Sequence, residues 1–194
     1  MLKKGFVTSL ALALLCVACA PKYTPLEQAV IDHVQAQVGP ESRLSLRQIS
    51  LADSLTYGQL LQQRIKAFEV KYKQDEKFLA TAVAKNNRGK IDRFDDAMKK
   101  DVYILDALRR MDLGGLADAV VCYDMVFSGK AERDDVTTVF DAYYAAVSPD
   151  GKVLSHQPGQ KGLHKGFGKF LPGYQDILKD AGYNALSGEE EAED

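Results

Sequence analysis

From Leu61 to Val83, the apolar residues Leu61, Ile65, Phe68, Tyr72, Leu79, Ala82 and Val83 recur at steps of three and four. That spacing lines one face of an α-helix. Thr56-Tyr57-Gly58-Gln59 opens the run as a capping box, in which the Thr hydroxyl and the Gln side chain satisfy each other's backbone N–H groups. Asn86-Asn87-Arg88-Gly89 breaks the pattern, and Ile91, Phe94, Met98, Val102, Leu105, Leu108 and Met111 resume it until Asp112-Leu113-Gly114-Gly115. Stripes this long must be covered along their length, and a short polar turn folds the second back on the first. Residues 56–112 therefore predict a long α-helical hairpin of two unequal antiparallel helices. One charge, Asp75, falls in the seam.

The flanks carry the remaining elements. Thr24-Pro25-Leu26-Glu27 is a second helix start, followed by the stripe Leu26, Val30, Val34 and Val38 and stopped by Gly39-Pro40. Leu44, Leu46, Ile49 and Leu51 alternate with polar residues except near Gln48, which predicts a strand with a bulge. After the hairpin the period changes to two. Ala119 to Phe127 suits a strand covered on most of both faces; a polar turn is expected around residues 129–135 and a second strand from Val136 to Val147. Ser148-Pro149-Asp150-Gly151 is a turn, because Pro presets φ and Gly accepts a positive one. Lys152-Val153-Leu154 begins a third member of the meander, a glycine-rich loop follows, Pro172 opens a last helix to about Ala181, and residues 187–194 form a disordered acidic tail.

Together these give an α+β class: an antiparallel sheet of about three to four strands packed by helices on one face, with the long hairpin inserted. The first helix and the meander, with its Ser-Pro-Asp-Gly-Lys-Val-Leu turn, resemble the cystatin-like arrangement of helix plus antiparallel sheet.

Lys3 and Lys4 precede an apolar run from about Phe6 to Val17, the length of a signal-peptide core and short of the roughly 20 residues a spanning helix needs. Leu15-Cys16-Val17-Ala18-Cys19 resembles a bacterial lipobox, with Ala18 at the cleavage position and Cys19 as the residue that receives lipid. Cys16 stands where Leu is usual. The other reading is a secreted protein cleaved after Ala18 or Ala20. On the lipobox reading, residues 1–18 are a signal peptide and residues 19–194 form a single domain. The membrane is then a partner through several acyl chains, since one chain alone binds marginally. The lack of an Asp after Cys19 resembles lipoproteins sent to the outer membrane, and the lack of an acidic cluster there points to the periplasmic leaflet. The chain as a whole resembles small, uncharacterised envelope lipoproteins of anaerobic Gram-negative bacteria.

The formal net charge is −2 and, without Lys3 and Lys4, nearer −4. That argues against a nucleic-acid partner. Of the three cysteines, only Cys19 and Cys122 follow the cleavage point, and Cys122 reads as a small core residue.

No catalytic residue, metal-ligand spacing or cofactor motif is legible. The histidines are His33, His156 and His164, no Gly-x-Ser-x-Gly elbow occurs, and Ser155 and His156 would point to opposite faces of a strand. One segment, Gly159 to Phe170, interleaves glycines with Lys161, His164, Lys165 and Lys169. Those residues could bind a small anionic ligand. The hairpin carries 13 Lys/Arg against 9 Asp/Glu over residues 57–112. The leading expectation is a non-enzymatic, lipid-anchored binding or scaffold module whose hairpin or sheet surface docks an envelope protein or peptidoglycan. An anionic-ligand binder comes second and a hydrolase last.

Overall fold

In a computed structural model, which describes residues 22–159, 164 and 166–183, Thr24 starts the first helix, α1 (Pro25–Val38). Its hydroxyl accepts from the Glu27 N–H at 3.3 Å, and its own N–H donates to Glu27 Oε2 at 2.7 Å, so the expected capping box is formed. Strand β1 (Arg43–Thr56) follows, with a register shift between Leu46 and Gln48 where the sequence predicts a bulge. Thr56 is both the last residue of β1 and the N-cap of α2 (Tyr57–Ala84), and α3 (Arg88–Arg110) packs against α2. Strands β2 (Val120–Arg133), β3 (Val136–Val147) and β4 (Val153–Pro158) complete a four-stranded antiparallel sheet in the order β1-β2-β3-β4, and α4 (Tyr174–Asp180) closes the described fold. The class is α+β, as expected. Residues 1–18, Cys19, Lys161, Lys165 and the acidic tail lie outside the described residues.

Three expectations are corrected. The expected turn over 129–135 shrinks, because β2 runs on through Gly129 and only Asp134-Asp135 separate it from β3. Gly129 marks a close approach of strands: a Cβ there would stand 2.5 Å from the Ser45 carbonyl oxygen and 2.8 Å from Leu46 Cα. The last helix begins at Tyr174, and Phe167–Phe170 form one 3-10 turn with Phe167 and Leu171 buried, so the end of the glycine-rich stretch is core.

The third correction concerns layers. Consecutive strand residues face opposite sides of a sheet. Ala145 belongs to a core with Met125, Phe127, Val30 and Val34 of α1, whereas Ala146 belongs to one with Leu60, Ile104, Tyr174 and Leu178. Helices thus cover both faces: α1 on one, α2, α3 and α4 on the other.

Helices α2 and α3 run antiparallel, with Glu69 bonded to Arg109, Lys71 to Asp101, and the rings of Phe78 and Phe94 5.5 Å apart. Their near halves join the second core through Leu60, Leu61, Phe68, Ile104, Leu105 and Leu108; among the described residues, none from 73 to 103 belongs to either core. At the border lies a buried ionic group. Lys71 Nζ donates to Asp75 Oδ2 at 2.8 Å and to both oxygens of the fully buried Asp101, at 3.1 and 3.0 Å, while the Tyr183 hydroxyl donates to Asp101 at 3.3 Å.

Burial pulls the Lys71 ammonium down, but its bonds to Asp75 and Asp101 outweigh that and hold it well above the ordinary lysine range. Burial raises the Asp101 carboxyl against the lowering pull of Lys71. A raised carboxyl favours the fold in acid: its contribution is complete below the unfolded pKa and is lost as pH rises through the folded one. Lys71→Met removes the lowering pull and leaves an unpaired buried carboxylate. It is expected to cost about 3–5 kcal/mol near neutrality and to recover much of that toward acid, where Asp101 takes up a proton. Urea midpoints at about pH 7 and about pH 5 check this; a loss of equal size at both would refute it.

Candidate functional site

Alternation along β2 sends Cys122 and Asp124 to the same face, the one covered by α2 and the C-terminal segment. His164, between β4 and α4, meets them there. Its Nε2 lies 3.0 Å from Asp124 Oδ1, its carbonyl oxygen accepts from Arg64 Nη2 at 3.2 Å, and its ring centroid stands 5.2 Å from that of Phe167. All three residues are buried, Cys122 completely and His164 to 7% exposure. The thiol sulfur, a carboxylate oxygen and a ring nitrogen lie within 4.8 Å of one another.

The imidazole uses half its bonding capacity. With Nε2 on Asp124, the buried Nδ1 has no hydrogen-bond partner among the described residues, a deficit of about 1–3 kcal/mol for such a group.

Above this cluster opens a cleft of about 800 Å³, walled by the end of β1, the first turns of α2 and the segment before β2, with Asp124 and His164 in its lining. Gly58 lets the walls close: its N–H donates to the Ala117 carbonyl at 2.9 Å, and an added Cβ would lie 3.0 Å from that oxygen. Among the described residues, the charged lining residues are Asp53, Asp118 and Asp124. A smaller cleft of about 610 Å³ lies along α2 and α3, lined by Lys66, Lys71 and Arg93 together with Val70, Phe78 and Phe94.

The residues expected to hold an anion are placed differently from one another. His164 turns inward onto a carboxylate, and Lys169 sits on the Phe167–Phe170 turn with Nζ 5.6 Å from the Phe170 ring centroid; Lys161 and Lys165 lie outside the described residues. His156 faces α1, its Nδ1 3.3 Å from His33 Nε2, while its strand neighbour Ser155 is on the other face, as alternation requires. Burial, and then the neighbouring His156, lower the His33 pKa.

Sequence reasoning missed the Cys122–Asp124–His164 constellation. The Cys-x-Asp spacing on a strand was its one local sign, and His164 arrives from 40 residues away. The trio resembles a nucleophile, base and orienting acid only in composition. Burial, with the Asp124 charge adding to it, pushes the Cys122 thiol up to about 12, so it is protonated near neutrality and out of reach of a substrate.

No protein-family model, curated protein or solved structure matches the chain. Function must be argued from the geometry alone.

In a chain carrying Cys16→Ser and Cys19→Ser, Cys122 should react with a maleimide only as fast as the protein unfolds, and its labelling should follow the urea unfolding curve. Fast labelling without denaturant would show an accessible thiol and reopen nucleophilic chemistry.

Proposed function

We propose that this protein is a lipid-anchored component of the bacterial envelope, tethered through Cys19 to the periplasmic side of the outer membrane, and that it works as a non-enzymatic binding module. In this reading α2 and α3 form an inserted arm whose far end docks an acidic envelope protein.

The observation that carries it is the charge at that end. Lys77, Lys85, Arg88, Lys90 and Arg93 accompany a single acid, Asp92, over residues 77–93. The basic excess of the whole α2–α3 segment is therefore concentrated there. None of these five cations forms an ion pair among the described residues, whereas Lys99 and Lys100, nearer the core, are held by Asp95 and Asp96 at 2.6 and 2.8 Å. Unpaired cations at the end of a projecting element steer an acidic partner. Phe78 and Val83, both exposed, add apolar surface within the same stretch. Cys19 stands six positions before the first residue of α1, and six residues span at most about 20 Å. A lipid at Cys19 would hold the domain close to the membrane.

Reversing Lys85, Arg88 and Lys90 to Glu should reduce recovery of the crosslinked partner from intact cells by at least about tenfold, while reversing Lys99 and Lys100 should have the smaller effect. Unchanged recovery would refute docking by the arm, and retention on purified peptidoglycan that the triple reversal abolishes would assign the same surface to the wall polymer instead. Cys19→Ser should abolish incorporation of labelled fatty acid; persistent labelling would refute the anchor.

A further inference from the structure

We infer that Cys122, Asp124 and His164 bind a divalent transition-metal ion, Zn²⁺ by donor chemistry, at the floor of the cleft beneath the start of α2. This site is independent of the docking end of α2–α3.

Three observations carry it. The first is the donor set: one sulfur, one carboxylate oxygen and one imidazole nitrogen, from two adjacent positions of one strand face and one segment crossing it, within 4.8 Å of one another. Ligands on a tetrahedral zinc ion at 2.0–2.3 Å stand about 3.5 Å apart, so closure needs side-chain shifts of roughly an ångström and no change in the fold. The second is burial. Three groups with metal-binding chemistry share one buried site at the floor of the cleft, Cys122 fully buried, Asp124 and His164 nearly so. The third is the unpartnered Nδ1 of His164. The nitrogen that faces the cluster is Nε2, 3.0 Å from Asp124 Oδ1; with Nδ1 unpartnered among the described residues, no second bond fixes the ring's tautomer, and Nε2 can offer its lone pair to an ion beside Asp124 and Cys122.

Thiolate and imidazole together select Zn²⁺, Co²⁺ or Cu²⁺ over Mg²⁺ and Ca²⁺, which prefer oxygen. Three protein donors leave one of four positions open, the mark of an ion that exchanges a water or ligand. Asp124 and His164 line the cleft and Cys122 does not, so that position faces the cleft, toward the wall that carries Asp53 and Asp118. Binding replaces the thiol S–H bond with an S–metal bond, and the proton leaves to water. No electron is transferred.

The test uses the full chain carrying Cys16→Ser and Cys19→Ser, so that Cys122 is the sole thiol. Titration with Co²⁺ should give a thiolate-to-cobalt charge-transfer band and the visible absorption of tetrahedral cobalt, saturating at one equivalent. Zn²⁺ should displace both, with release of about one proton per ion near neutral pH. Absence of the charge-transfer band at saturating Co²⁺ overturns the proposal without recourse to any variant of the site. Cys122→Ser, checked for folding by circular dichroism, should lose the band, and His164→Gln should weaken binding by more than about tenfold. Binding that survives both but falls with His33→Ala would place the ion at the His33–His156 pair and also overturn the proposal.

Discussion

Two-sided burial of β2 and β3 is the constraint on which the rest depends. Met125, Phe127, Ala145 and Val147 pack beneath α1, while Cys122 and Ala146 pack beneath α2, α3 and the C-terminal segment. A strand pair covered in this way cannot slip by one residue, because a slip would exchange the contents of the two cores. The register shift at Gly129 fits the same constraint: it adjusts the pairing on both sides of β2 while keeping Phe127 and Ala131 in one core. Placement of Asp124 follows too, since on the face opposite Met125 it meets His164.

The two functional proposals sit at opposite ends of one helix. The base of α2 walls the cleft over the buried cluster, and its far end carries cations that form no ion pair among the described residues. Between them Lys71, Asp75, Asp101 and Tyr183 satisfy one another at the last point where the helices belong to the core. Removing one partner of such a group costs more than replacing the whole of it with apolar side chains, because a lone buried charge is left behind. Asp75, the charge that interrupts the apolar seam, is explained by this group.

Local chemistry was legible in the sequence wherever a few adjacent residues determine the outcome. Both capping boxes, the stop at Gly39, the turn at 148–151 and the bulge near Gln48 are decided by neighbours and were read correctly. Gly129 was misread because a glycine that admits a neighbouring strand looks, in one dimension, like a glycine that turns the chain. Placing all helices on one face conflicted with the two-faced pattern already visible in β2; which stripe covers which face depends on how the chain crosses the sheet, and residue spacing does not encode that. The buried cluster was illegible for a stronger reason. His164 lies in a glycine-rich stretch that resembles a solvated loop, and only the burial of Phe167, Leu171 and Tyr174 draws that stretch into the core.

The passage from β1 to α2 contains no loop: Thr56 ends the strand and caps the helix, and the N–H groups of Tyr57 and Gly58 bond the carbonyls of Ala119 and Ala117 just before β2. The start of α2 is thus tied at once to the end of β1 and to the residues just before β2. On the β1–β2 pair Asp53 lies opposite Asp124 and Leu55 opposite Cys122, so the strand ladder that holds the buried cluster leads directly into the start of α2.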